Sequence, residues 1–215
     1  MTDLGQNRQW MVDKQLRHRG IKDERVLDAM NRIPREMFVP GEYRMQAYED
    51  MPIPIGHGQT ISQPYMTALM CEALDLKGTE RVLDVGTGSG YHAAILAMLA
   101  GGVYSIEIIQ ELAELARRNL AEAGLLERVR VITGDGSLGY PDQAPYDAIS
   151  VAAGAPEVPA ALMDQLGDPG RLVIPVGSRG DQDLEVITKV HGQIAKRVPT
   201  LCRFVPLVGA QGWRE

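Results

Sequence analysis

Three glycines and three carboxylates carry the first chemical signal. Gly86, Gly88 and Gly90 alternate with Thr87 and Ser89, directly after the run Val82-Leu83-Asp84-Val85. Glycine lacks a Cβ and tolerates positive φ, so such a turn lets backbone approach a bound molecule closely. Glu107 lies 21 residues beyond Gly86, at the end of a second apolar run, and Asp135 ends a third between Gly134 and Gly136. A carboxylate at 107 can accept both hydroxyls of a ribose, and one at 135 can meet an adenine amino group, with Gly136 leaving room for the ring. Asp84 can orient the turn or a nearby ammonium. Any one of these acids could be a solvated strand end. Three at successive strand ends beside one glycine turn favour a nucleoside site.

The elements that would position these residues alternate. Val82–Val85 reads as a buried strand and His92–Ala100 as the helix after the turn. Strands follow at 103–106, 129–132, 146–151 and 171–174, with helices marked by Ile109, Leu112, Ala116 and Leu120 and by Pro156 to Leu166. Alternating strand and helix imply an α/β fold with a doubly wound, mostly parallel Rossmann-like sheet and helices on both faces. Strands at 184–190 and 201–207 have no helix between them and predict a C-terminal antiparallel hairpin. Ahead of the sheet, two short helices are expected before Pro34, one stopped by Gly20 and one capped by Asp23. Residues 34–61 are punctuated by proline and glycine and read as a long loop of the kind that is often functional. Met66, Leu69, Met70 and Leu74 then mark a helix over 62–76, with Ser62 at the N-cap position and Pro64 in the first turn. The whole chain reads as one domain, with 1–61 an N-terminal helical extension and loop and 62–215 the α/β core.

Composition narrows the partners. The 215 residues are 45% hydrophobic and 23% charged, and 22 basic against 28 acidic residues give a net charge of −6. That balance argues against nucleic acid and anionic membranes. The Arg17-His18-Arg19 cluster fits a helix C-terminus better than a binding patch. Two cysteines, no spanning apolar run and a polar N-terminus predict a reduced cytoplasmic protein, expected to be a monomer. Scattered histidines predict no metal site. Tyr91 occupies the third-glycine position of the dinucleotide fingerprint, and no Walker-type lysine follows the turn.

Beyond these residues, the chain resembles class I S-adenosylmethionine-dependent methyltransferases, and most closely the protein-L-isoaspartate O-methyltransferase family. The segment Val82 to Tyr91 matches the cofactor loop, and Met30 to Pro40 resembles the family's N-terminal signature. Ala47 to Asp50 and Thr60-Ile61-Ser62-Gln63-Pro64 resemble its substrate loop. Gly134 to Gly136, Ala144 to Ile149 and Arg203-Phe204-Val205-Pro206-Leu207 also match. Departures are Asp84 where glutamate is common, Ile108 where a polar residue is common, and Asp168-Pro169 before Gly170.

The resemblance implies S-adenosyl-L-methionine as methyl donor, leaving S-adenosyl-L-homocysteine. It also implies a cofactor site of Asp84, Gly86, Thr87, Gly88, Ser89, Gly90, Glu107, Asp135 and Gly136. The implied acceptor is the free α-carboxylate of L-isoaspartyl residues in damaged proteins and peptides, whose ester closes to a succinimide and begins repair. A carboxylate is ionised at neutral pH and needs no general base, so alignment carries the catalysis. Spacing alone leaves Ser62 open between N-cap and active-site hydroxyl. The resemblance selects Ser62 as the catalytic residue, with Ile61, Gln63 and His57 as substrate contacts, although His57 also fits a solvated loop. An extended peptide is expected between loop 40–61 and the C-terminal strand. Three alternatives remain: methylation of another peptide carboxylate such as an aspartate side chain, a nucleotide-dependent oxidoreductase, and a non-catalytic binding module.

Overall fold

Fully buried apolar runs build the centre of the molecule. The computed structural model describes residues 3–214. Strand β3 (Arg81–Val85) is buried on both faces beyond its first residue. It pairs in parallel with β4 (Gly102–Glu107) on one side and β6 (Tyr146–Val151) on the other. β5 (Val129–Thr133) extends the sheet beyond β4, and β7 (Leu166–Gly177) extends it beyond β6. β8 (Gln182–Val190) runs antiparallel to β7, and the hairpin expected between 184–190 and 201–207 forms instead with residues 193–197. β9 (Gln193–Arg197) and β10 (Leu201–Cys202) both pair with the far edge of β8. The strand order reverses at β3, and ligands of open α/β sheets bind at such a point.

Side-chain alternation divides the core between the two faces. Val82, Ala148 and Val173 share a buried cluster with α2 (Glu24–Arg32), α3 (Pro64–Leu74), α4 (Tyr91–Leu99) and α5 (Gln110–Glu122). Their neighbours Leu83, Ile149 and Leu172 share a second cluster with the short helix α6 (Ala160–Gln165) and Leu207. Helices therefore occupy both faces, unequally.

The N-terminal elements follow the sequence signals closely. α1 (Leu4–Trp10) continues through a π-helical turn, Met11–Leu16, and a 3-10 turn that Gly20 stops at φ 101°. Asp23 caps α2 by accepting from Arg25 N. Three expectations need correction. The helix expected over 156–166 is confined to Ala160–Gln165, because Pro159 occupies its N-cap. The strand expected over 201–207 stops at Cys202, and Pro206 makes only an isolated bridge to Gly154. Within loop 34–61 lies a small antiparallel hairpin, β1 (Ile53–Gly56) and β2 (Gln59–Ile61), whose Ile53, Ile55 and Ile61 are buried. Among the described residues, no helix is long and apolar enough to cross a membrane.

Candidate active site

The glycine turn is held from below and from the side. Gly86 and Thr87 N–H groups both donate to Ile106 O, at 2.9 and 3.2 Å, which pins the turn to the end of β4. Gly86, Gly88 and Gly90 have φ of 91°, 55° and 96°, where a Cβ would be strained. Asn119 of α5 donates to Ser89 O at 2.8 Å. Beneath the turn, Ser105 Oγ donates to Asp84 Oδ2 at 2.7 Å and lies 2.6 Å from Thr87 Oγ1. Asp84 is fully buried and serves the turn through this relay.

Above the turn lies a cavity of ≈ 310 Å³ at the strand ends. Its walls include Gly86, Gly88, Glu107, Gly136 and Ala152, and the hairpin residues His57, Gln59 and Thr60 cover it. Glu107 is oriented by two backbone donors, Gly88 N to Oε2 at 2.8 Å and Ile109 N to Oε1 at 3.0 Å. A carboxylate offers about four acceptor sites, so two bonds leave acceptor capacity for a ligand. Gly136 closes the floor, where a Cβ would come within 2.5 Å of Val85.

Asp135 is placed differently from the expectation that it faces a ligand. It does not line the cavity. Its Oδ1 accepts from Ser137 N and Oγ, and its Oδ2 accepts from Ala210 N at 2.7 Å. Asp135 thus caps a 3-10 turn and ties down the C-terminal tail, so its link to a ligand runs through Gly136.

Two smaller spaces adjoin the large cavity, and Thr60 and Ala152 line all three. Ser62 lines both small ones, Ile61 lines the first, and Gln63 lines the second. The second lies between Pro52 and Thr60 on one side and Arg203, Phe204 and Val205 on the other. This is the cleft expected between loop 40–61 and the C-terminal segment.

The N-cap of α3 is Gln63, not Ser62. Pro64 takes the first helical position, which moves the start past the serine. Asp50 satisfies the next amide, since its Oδ1 accepts from Tyr65 N at 2.9 Å. It also accepts from Gln63 Nε2 and pairs with Arg19, whose guanidinium stacks 3.7 Å from the Tyr65 ring centroid. The capping work falls to Asp50, and the Ser62 hydroxyl bonds to no other described residue. Pro64 has no amide hydrogen and the Tyr65 amide is taken, so the helix start offers an anion little beyond Met66 N–H.

His92 lines the first small space, with one ring nitrogen held in the core. Its Nε2 lies 3.1 Å from Ser150 Oγ and 3.9 Å from Cys71 Sγ. Burial lowers its imidazole to about 4, so it is neutral. Burial raises the Asp84 carboxyl to about 7, against the Ser105 hydrogen bond and with the help of the Glu107 charge. The two groups oppose each other in stability. A carboxyl raised in the folded state holds its proton there between its unfolded value and about 7, so its contribution falls as pH rises through that window. A lowered histidine contributes stability that grows as pH rises from about 4 to its unfolded value. Asp84→Asn is therefore expected to gain on the wild type between about pH 4 and pH 7, by up to about 4 kcal/mol in urea unfolding. A pH-independent difference would contradict a buried, protonatable Asp84.

The polar atoms left over near the turn suit a polar ligand. Ser89 Oγ is buried without a partner among the described residues and Ser89 lines the first small space, whereas Asp84, whose Oδ1 is also unpartnered, lines none of the three. Ser89, Glu107 and the Gly136 floor fit a nucleoside carrying a polar tail. Sequence reading missed Thr60, Ala152 and Val205 to Val208 as cavity residues. The matched segment Arg203 to Leu207 was the signal for the last group.

Comparison with known proteins agrees with this geometry. The family model described as protein-L-isoaspartate(D-aspartate) O-methyltransferase matches residues 6–212. A relative from Marinobacter nauticus named protein-L-isoaspartate O-methyltransferase 2 is 58% identical, covering 98% of this chain and 97% of its own. One from Hyperthermus butylicus named protein-L-isoaspartate O-methyltransferase is 54% identical, covering 97% and 91%. Among solved structures, a Plasmodium falciparum protein-L-isoaspartate O-methyltransferase in complex with S-adenosyl-L-homocysteine superposes with a TM-score of 0.80 at 29% identity. That match covers 94% of this chain and 98% of the other.

Proposed function

The chain belongs to the protein-L-isoaspartate(D-aspartate) O-methyltransferase family, and on that premise we propose a division of labour within its site. It is an S-adenosylmethionine-dependent enzyme that methylates the α-carboxylate of isoaspartyl residues in damaged proteins. The cavity beside Glu107 holds the donor, and the cleft beside Ser62 holds the acceptor. The observation that carries this reading is that Thr60 and Ala152 line both, so the two halves meet at one place.

On the donor side, Glu107 accepts hydrogen bonds from the ribose hydroxyls, while Gly136 and Ile108 flank the adenine. Asp84 acts from beneath the turn, Gly86 and Gly88 wall the cavity, Thr87 and Ser89 line the small space beside Ser62, and Gly90 lets the turn pack against α5 rather than meeting the donor. Asp135 supports this side by fixing Gly136 and the tail. When bound, S-adenosylmethionine supplies an activated methyl group that an ionised carboxylate takes without a general base.

On the acceptor side, the Ser62 hydroxyl donates to one oxygen of the substrate carboxylate and fixes its direction. Gln63 bounds the cleft and Ile61 the small space next to it, whereas His57, expected as a substrate contact, lines the donor cavity instead. Much of this half is alignment and exclusion of water. The ester so formed carries a better leaving group than the carboxylate, and the following amide nitrogen attacks its carbonyl, loses its proton and expels methanol to close the succinimide without further help from the protein.

The unpaired thiols Cys71 and Cys202 support a reducing, cytoplasmic setting. The net charge of −6 supports peptides rather than nucleic acid as partners, for a chain read as a monomer. Calorimetric titration tests the donor half. S-adenosylhomocysteine is expected to bind in preference to NAD, and binding of NAD alone would overturn the reading.

A further inference from the structure

The residues lining the three adjoining spaces carry an uneven charge. Glu107 lies in the donor cavity, and Arg203 in the acceptor cleft is the one lysine or arginine lining any of the three among the described residues. Arg203 is exposed and forms no ion pair or side-chain hydrogen bond with another described residue. Its backbone, by contrast, is held on both sides. Cys202 pairs with Gln182 in the sheet, Phe204 N donates to Gln182 Oε1 at 2.7 Å, and Gly154 N donates to Val205 O at 2.8 Å. A free guanidinium on an anchored segment, beside the unbonded Ser62 hydroxyl, is arranged to meet an anion.

The geometry points to Arg203 as the residue that selects the ionised acceptor carboxylate over its uncharged forms. This assignment rests on the reading of the Ser62 cleft as the acceptor half. Ser62 and Arg203 then divide the carboxylate between them, the hydroxyl directing one oxygen and the guanidinium holding the charge. Methylation removes that charge. The ester product is neutral, so the guanidinium attracts the substrate and has no hold on the product. An exposed charge pair is weak and salt-sensitive, which places its effect on substrate capture rather than on the chemical step.

The test compares an isoaspartyl peptide as substrate with the same peptide carrying a carboxamide in place of that carboxylate, used as a competitive inhibitor. Arg203→Gln is expected to raise KM for the acid about fivefold, with kcat within about twofold. The inhibition constant of the carboxamide is expected to stay within about twofold, and Arg203→Lys to recover part of the loss. KM of the wild type should rise with salt more steeply than KM of the variant. S-adenosylhomocysteine affinity, unchanged, shows that the donor half and the fold are intact. An unchanged KM, a carboxamide constant that rises in step with KM, or weakened S-adenosylhomocysteine binding overturns the assignment. If the wild type methylates no isoaspartyl peptide, the acceptor reading falls and Arg203 falls with it. If methylation proceeds and only KM fails to respond, Arg203 alone is wrong.

Discussion

Replacing Ser62 by alanine is expected to lower kcat for an isoaspartyl peptide about 10- to 100-fold, while the dissociation constant of S-adenosylhomocysteine stays within about twofold. The range is that of one hydrogen bond to a charged group, roughly 1.5–3 kcal/mol. The split between the two readouts follows from the local structure. Gln63 occupies the N-cap, Pro64 the first helical position, and Asp50 satisfies the Tyr65 amide. Removing the Ser62 oxygen therefore takes no cap from α3 and leaves the glycine turn pinned to Ile106 O. Steady-state kinetics and calorimetry on one preparation decide it. Equal losses in turnover and in S-adenosylhomocysteine binding would mean that Ser62 supports the fold rather than the reaction.

The opposite pattern is expected of Glu107→Gln. Both Glu107 oxygens accept from backbone, from Gly88 N and Ile109 N. An amide keeps the shape but turns one acceptor into a donor that faces one of those N–H groups. The variant loses a charged acceptor for the ribose and strains the orientation of the side chain at the same time. A penalty of about 2–4 kcal/mol corresponds to S-adenosylhomocysteine binding weaker by at least about 30-fold. At saturating donor, kcat is expected to recover most of its value, because Ser62 and its cleft are untouched. Tight binding retained in Glu107→Gln would remove Glu107 from the donor site. The two substitutions separate the halves only if each moves its own readout, which makes them a pair of controls on each other.

Legibility in the sequence followed burial. Strands β3, β4 and β6 announce themselves because burial leaves compact apolar runs, and the glycine turn stands out because positive φ at Gly86, Gly88 and Gly90 favours glycine at alternate positions. β9 left no such trace, since Gln193–Arg197 is exposed along its whole length and shows no two-residue alternation. The β1–β2 hairpin was masked by Pro52, Pro54, Gly56 and Gly58, although its isoleucines alternate inward. Single-residue features were harder. Ser62 matched an N-cap by type, but Pro64 set the helix start and Asp50, 15 residues before Tyr65, supplied the cap. Asp135 matched a ligand contact by position, yet its carboxylate is drawn to Ala210, 75 residues away. Contacts of that range leave no periodic signal. Arg203 sat inside a matched segment, and only the placement of that segment against the Ser62 cleft gave it a role.

The most direct test of the two-part site is methyl transfer from labelled S-adenosylmethionine to two peptides of one sequence, differing only in an isoaspartyl or an aspartyl linkage. Label is expected on the isoaspartyl peptide, released again as the ester closes to the succinimide, with the aspartyl peptide left unlabelled. Label on the aspartyl peptide alone would contradict the account.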